Sequence, residues 1–308
     1  MINTAGHSSK NSTAMAIHPQ VFSLLLSASL HLDQIPTFQT AMQIINSPFL
    51  LAAFVAYTGT AAAQSCPTVW TTIATDLKTA FLGDDGNCND DARAAIRASF
   101  HDCFPGSCDG SLILASECTD RGENAQLVSI CSTLGDRATQ YNVSTADMIQ
   151  FGAAMGIASC PLGPTIAFKV GRTDSSTANA ANQIPGQNSD AATSIAAFQA
   201  KGFTVTELVA LVGAHSTAKN LAGASLDSTP EQWDTAFYSE TADESNSASL
   251  ASDRYLSNST QSSAIWTTMT DATTWANAFV PAMEKMSIMG NDEDSLIDCS
   301  SVITAAFA

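Results

Sequence analysis

The chain has 308 residues, with 29 acidic against 12 basic side chains and a net charge of −17. So acidic a surface repels nucleic acid and anionic lipid, which sets aside polyanion binding and membrane attachment as functions. Eight cysteines against five histidines favour four disulfides in an oxidising compartment over zinc sites.

Residues 1–41 read as an N-terminal extension ahead of a second candidate start, Met42. Their apolar patch, Val21 to Leu30, is too short to cross a bilayer. Residues 42–63 read as a signal peptide, in which the apolar run Phe49 to Tyr57 leads to small residues at Ala61, Ala62 and Ala63. The mature domain is then expected over 64–308, secreted and extracellular. Cys66, Cys88, Cys103, Cys108, Cys118, Cys131, Cys160 and Cys299 all fall within it. Asn142-Val-Ser144 and Asn258-Ser-Thr260 are glycosylation acceptors that agree with secretion.

Asn89-Asp-Asp-Ala-Arg opens a helix with acidic residues and continues through good helix formers to His101. Ser144-Thr-Ala-Asp147 caps a second helix that stops near Cys160-Pro161. Ile166 to Val170 is the best strand-like run. Thr204-Val-Thr-Glu207 is a capping box opening the helix Leu208 to His215. From Ser262 to Gly290 the apolar spacing predicts one or two helices, interrupted at Pro281. The result is a mostly α domain with no linker or repeat.

Past residue 63 only two histidines remain, His101 and His215. Arg97 and His101 are four apart on one helix and share a face. A neutral imidazole there can move a proton between the two oxygens of a peroxide, and a fixed guanidinium can stabilise the charge that develops as the O–O bond breaks. His215 falls with Leu208, Leu211 and Val212 on an apolar stripe, where an axial haem ligand would sit. Its second ring nitrogen needs an acceptor, for which Asp253 is the candidate. Oxygen-rich turns follow both histidines. One holds Asp102, Ser107, Asp109 and Ser111, the other Ser216, Asp227, Thr229 and Asp234, and alternating carboxylates and hydroxyls suit calcium. Each feature alone is compatible with an ordinary helix or polar turn, so the argument rests on the ordered set.

That set resembles the plant–fungal–bacterial haem peroxidase superfamily, from about Cys66 to Cys299, and specifically the secreted fungal (class II-like) members. Arg97-Ala-Ser-Phe-His-Asp102 resembles the distal signature, which implies that Arg97 stabilises charge, Phe100 walls the pocket and His101 is the acid–base catalyst. Val212-Gly-Ala-His-Ser216 resembles the proximal signature, making His215 the iron ligand. The resemblance implies a two-lobed helical fold with non-covalent haem b between distal and proximal helices. It also implies two Ca2+ ions. The distal one would be held by Asp102, the Ser107 carbonyl, Asp109 and Ser111. The proximal one would be held by Ser216, Asp227, Thr229, the Gln232 carbonyl and Asp234. Ile184 and Pro185 resemble the segment lining the haem access channel. By the same analogy Cys66 pairs with Cys299, Cys88 with Cys160, Cys103 with Cys108 and Cys118 with Cys131.

The chain departs from the family in three ways. The Cys103 to Cys108 loop is short, as in the secretory plant enzymes. The mature chain is short for a class II enzyme and lacks the long C-terminal tail. The asparagine that orients the distal imidazole, counted without gaps, falls on Ser129. The expected partners are hydrogen peroxide and small phenolic or aromatic donors, with no nucleic acid or membrane, and the expected state is a monomer. The alternatives are a manganese- or lignin-type specialist and a haem-binding protein without activity. Manganese-oxidising relatives place three carboxylates at positions that here are Asp90, Ala94 and Leu221, and lignin-oxidising ones an exposed tryptophan where this chain has Ala210. A carrier would need only His215, so retention of Arg97 and His101 favours the enzyme.

Overall fold

The computed structural model describes residues 64–308; the extension and signal-peptide expectations for residues 1–63 lie outside the described residues. In chain order the helices are α1 (Val69–Phe81), α2 (Asp90–Cys103), α3 (Ser111–Leu114), α4 (Glu117–Asp120), α5 (Val128–Tyr141), α6 (Thr145–Ser159) and α7 (Ala191–Ala200). They continue with α8 (Val205–Val212), α9 (Ala236–Ala242), α10 (Ala251–Asn258), α11 (Ser263–Thr268), α12 (Ala272–Ser287) and α13 (Ser300–Phe307). The expected mostly α fold is what the chain adopts. Its described β structure is one antiparallel pair, Lys169–Val170 (β1) with Ile297–Asp298 (β2), in the register Lys169 to Asp298 and Val170 to Ile297. The predicted strand Ile166 to Val170 is therefore real but shorter.

The helix starts follow the local chemistry. Asn89 caps α2 by accepting from the amides of Asp91 at 3.0 Å and Ala92 at 3.1 Å. At α8 the capping box is complete: Thr204 Oγ1 accepts from the Glu207 amide at 3.1 Å, and Glu207 accepts from the Thr204 amide at 2.6 Å. The α6 start has two caps. Ser144 accepts from the Asp147 amide, and the Asp174 carboxylate accepts from the Thr145 and Ala146 amides, each at 2.9 Å.

Every residue of α6 except Ala158 is buried, as expected of a helix surrounded by other helices. It can lie hard against α2 because Gly156 carries no side chain there. A Cβ on Gly156 would stand 2.6 Å from the Ala92 carbonyl oxygen, and one on Gly152 would stand 3.0 Å from Leu134. The side chain of Trp70 on α1 seals this layer, its ring centroid 5.0 Å from Phe151 and 5.1 Å from Phe168. A buried ion pair, Arg172 with Asp147 at 2.7 Å, reaches on to the Ser287 carbonyl and so ties α6 to the end of α12.

The four disulfides are Cys66–Cys299, Cys88–Cys160, Cys103–Cys108 and Cys118–Cys131, the pairing the resemblance implied. Cys66–Cys299 closes a loop of 233 residues and pins the start of the domain to its end.

Two expectations change. The break after Ser262 falls between Thr268 and Ala272, while Pro281 sits inside a continuous α12. The cause is Asp271, whose carboxylate accepts from the Thr274 amide at 2.8 Å and starts a new helix. Likewise α8 ends at Val212, and His215 lies in a following 3-10 turn, Gly213–Thr217.

Replacing Gly156 with Ala is expected to destabilise the domain by about 1–3 kcal/mol, because the clash is with backbone that cannot rotate away. Gly122→Ala, where nothing lies within 4 Å of the added carbon, is the control. Denaturant unfolding of both variants checks the difference; equal midpoints would refute the close-packing account.

Candidate active site

His101 is buried in α2, one turn beyond Arg97, and both line a single cavity of about 410 Å³. Its Nδ1 lies 2.5 Å from Asn124 Oδ1. Asn124 is itself buried and donates its amide NH2 to the Glu117 carbonyl at 3.0 Å, so its Oδ1 is left to accept. That assigns the proton to His101 Nδ1 and leaves a lone pair on Nε2. Arg97 agrees with this tautomer, since its Nε donates to His101 Nε2 at 3.1 Å. Burial, and after it the Arg97 charge, lower the His101 pKa to about 3 against the opposing hydrogen bond to Asn124. The imidazole is therefore a neutral base at ordinary pH.

Asn124 corrects the expectation at Ser129, which lies exposed on α5. Asn124 sits in the 3-10 turn Gly122–Leu127 against the imidazole, five residues before the position that the ungapped count gave. The Glu123-Asn124 dipeptide was the signal available in the sequence. Phe100 lines the cavity beside His101, packed on Phe104 and stacked on Phe198 at 6.0 Å.

The second histidine lines the same cavity. His215 Nδ1 is 2.9 Å from Asp253 Oδ2, and the carboxylate is buried on α10, as the sequence suggested. Because a carboxylate only accepts, His215 Nε2 is the nitrogen left free. The turn that carries His215 forms where α8 gives up its last carbonyls to side chains. Tyr238 donates to the Val209 carbonyl at 2.8 Å and Trp275 to the Ala210 carbonyl at 2.9 Å. Gly213 permits this approach, since a Cβ there would lie 2.4 Å from both Trp275 Nε1 and Tyr238 Oη. Between the histidines the walls are mostly apolar, including Leu208, Leu211, Phe279, Met283 and Met286, with Ile184 and Pro185 alongside. A flat apolar macrocycle carrying a metal fits such a lining.

Hydrogen bonds join several of the oxygen-bearing residues in each of the two turns. In the distal one Asp102 is fully buried and accepts from the Gly110 and Leu112 amides at 3.1 and 3.2 Å. Burial, reinforced by Asp109 and Glu117, raises its pKa to about 7. A bound cation would reverse that penalty. Asp109 accepts from Ser107 Oγ at 2.9 Å and from the Ser111 amide at 3.1 Å, and Asn179, which the sequence reading missed, donates to Ser111 Oγ at 2.8 Å. In the proximal cluster Thr229 Oγ1 lies 2.7 Å from Asp227 and 2.8 Å from Asp234, while the Gln232 amide donates to the Thr229 carbonyl at 2.9 Å. Ser216 Oγ and Asp227 Oδ2 are buried without a hydrogen-bond partner in the protein. Two orphaned oxygens in one acidic cluster fit a hard cation that binds through oxygen.

Residues 73–272 match the Peroxidase family, and residues 274–308 match the Fungal peroxidase extension region. The second match covers most of α12 together with β2 and α13. The chain is 30% identical to a Peroxidase of Arthromyces ramosus over 286 residues, covering 80% of this chain and 78% of that protein. It is 29% identical to Manganese peroxidase 3 of Phlebia radiata over 262 residues, 72% of each chain. It is 27% identical to a versatile peroxidase of Pleurotus eryngii over 323 residues, 92% of this chain and 84% of that one. With two histidines trained on one apolar cavity and these matches across nearly all the described residues, the chain belongs to the fungal branch of the peroxidase family and is a haem-dependent oxidoreductase that reduces hydrogen peroxide at the expense of a reducing substrate.

Proposed function

We propose that this is an extracellular haem b peroxidase in which His101 and Arg97 perform the peroxide chemistry, His215 holds the iron, and small phenols supply the electrons. The carrying observation is that both histidines line one cavity and spend Nδ1 on a protein oxygen, which leaves Nε2 of His215 free and Nε2 of His101 bonded only to Arg97, its partner in the proposed peroxide chemistry. Bound haem supplies the redox-active iron at which the O–O bond is cleaved. His101 Nε2 accepts the proton of the near peroxide oxygen and returns it to the far one, which leaves as water. Arg97 stabilises the negative charge on the departing oxygen. Asp253 makes His215 the stronger electron donor of the two, because a carboxylate acceptor raises imidazole basicity. Phe100 and Pro185 would border the macrocycle. Haem b, not covalently attached haem, fits a chain whose eight cysteines are all in disulfides. The same disulfides support secretion of a mature domain spanning 64–308.

Two Ca2+ ions belong to this reading. Asp102, Ser107, Asp109 and Ser111 would hold the distal ion. Ser216, Asp227, Thr229, Gln232 and Asp234 would hold the proximal one, where the two orphaned oxygens are. Each cluster continues directly from a histidine-bearing segment, so an ion held there would brace the histidine beside it.

Small phenols are favoured over Mn(II) on charge grounds. Asp90, the one carboxylate at a manganese-type position, is already shared by Arg93 at 2.5 Å and Lys219 at 2.7 Å. Those hydrogen bonds, Lys219 first, lower its pKa. Ala94 and Leu221 add no oxygen ligand. Ala210 is fully buried, so no exposed tryptophan stands there. The donor would therefore reach the cavity beside Ile184 and Pro185, as a monomeric enzyme free of nucleic acid or membrane.

Replacing His101 with Ala is expected to slow the reaction with peroxide by about 10²–10⁴-fold while haem stays bound, since His101 moves a proton but does not hold the iron. Stopped-flow mixing with peroxide measures it, and a rate equal to the unaltered enzyme's would dismiss His101 as the base. Elemental analysis of active enzyme is expected to find two calcium ions, and chelation to weaken haem retention; calcium-free active enzyme would remove the cation assignment. Steady-state assays are expected to give efficient turnover of small phenols and only weak, non-saturating oxidation of Mn(II), and saturable Mn(II) turnover rivalling a phenol would overturn the donor assignment.

A further inference from the structure

Arg97 is held by more than its helix. Its Nη2 donates to the Glu123 carbonyl at 2.8 Å and its Nη1 to Gln126 Oε1 at 2.7 Å. Gln126 then uses the other end of its amide, donating from Nε2 to the Asn220 carbonyl at 3.1 Å. One exposed side chain in the cavity lining thus links the arginine of α2 to the loop that follows the His215 turn. Neither the motif resemblance nor the proximal signature contains this residue.

The far anchor is well fixed. Asn220 Oδ1 accepts from the Ala222 and Ala224 amides at 2.9 and 3.0 Å, and its Nδ2 donates to the Ala248 carbonyl at 3.3 Å. Its own amide donates to the Ala224 carbonyl at 2.8 Å. A glutamine hung from so constrained a carbonyl can hold its Oε1 in place and, together with the Glu123 carbonyl and His101 Nε2, fix the plane of a long guanidinium side chain. The choice of amide also matters. A neutral acceptor orients a cation without cancelling its charge, whereas a carboxylate at 2.7 Å would form an ion pair and spend the positive field on itself.

We infer that Gln126 is a positioning residue for Arg97, strapping the guanidinium to the Asn220 loop so that its uncompensated charge stays aimed at the bound peroxide. The inference rests on the proposed role of Arg97 as charge stabiliser. Gln126 touches neither substrate nor iron in this account and acts only through the arginine. It also makes the distal catalytic group dependent on the loop after the proximal histidine.

The test compares ferric holoenzyme carrying Gln126→Ala, Gln126→Glu or Arg97→Leu with the unaltered enzyme. Two quantities are read: the bimolecular rate constant with peroxide, and the Kd for fluoride, a small anion that binds ferric haem and takes a hydrogen bond from a well-placed guanidinium. Gln126→Ala is expected to slow the peroxide reaction about 10-fold, the scale of one hydrogen bond to a charged group, and to weaken fluoride in parallel. Oxidation of a phenol by the peroxide-treated enzyme should keep its rate. Gln126→Glu should be slow at neutral pH and recover as the new carboxylate protonates, below about pH 4. A merely structural role would lower the melting temperature without adding that ionisation. Unchanged peroxide rates and fluoride affinity in both Gln126 variants, with Arg97→Leu slowed by orders of magnitude, would overturn this inference alone. An Arg97→Leu enzyme as fast as the unaltered one would overturn the role of Arg97 and this inference with it.

Discussion

The acceptor opposite each histidine Nδ1 decides what its Nε2 can do. His101 donates to a neutral amide, Asn124, in a buried site beside a guanidinium, and these surroundings hold the ring neutral. His215 donates to the buried carboxylate of Asp253. Two chemically identical side chains facing one cavity are thereby made unequal, one a weak and available base, the other a stronger electron donor. The division of labour we propose follows from that inequality, and it needs only two oxygen atoms to create it.

Holding those oxygens in place occupies much of the fold. On the distal side Asn124 hangs from the Glu117 carbonyl, and Glu117 is buried and paired with Arg121 at 2.7 Å. That turn is stapled to α5 by Cys118–Cys131. The first turns of the α2 helix are pressed against α6 at Gly156, where a Cβ would meet the Ala92 carbonyl oxygen. On the proximal side the end of α8 is drawn into a 3-10 turn by Tyr238 and Trp275, whose polar tips satisfy carbonyls that the helix would otherwise leave open. Buried aromatic side chains with one polar atom are suited to this, since they fill volume and meet a hydrogen-bond debt at once.

Charge is distributed with the same economy. The surface is strongly acidic, yet Arg93, Arg97 and Lys219 all line the cavity. Arg93 and Lys219 share the Asp90 carboxylate, which leaves Arg97 as the lining cation without an ion-pair partner among the described residues. The carboxylates of Asp102 and Asp227 are both driven towards protonation by desolvation, a penalty that a bound cation would reverse.

Much of this was legible from residue order alone. Helix starts were set by Asn89, Ser144 and Thr204, whose side chains cap locally and need no distant partner. The i, i+4 pairing of Arg97 with His101 and the grouping of oxygen ligands after each histidine are likewise local. Asp253 could be named because one acidic residue with the right neighbours was at hand. Asn124 could not be counted to, because an ungapped count assumes the family's loop length, and loops are where residues are gained and lost. The break at Asp271, and not at Pro281, also turned on competition: a strong side-chain cap outweighs a single missing amide in a helix whose other face is packed. Gln126 was invisible for a different reason. Its two partners, Arg97 and Asn220, lie 29 residues before it and 94 after it, and only chain folding brings them to either end of one amide. The sequence by itself determined which elements form and which chemistry they carry. The tertiary structure decided which oxygen faces which nitrogen, because hydrogen bonds at 2.5 to 3.1 Å depend on the packing of whole helices.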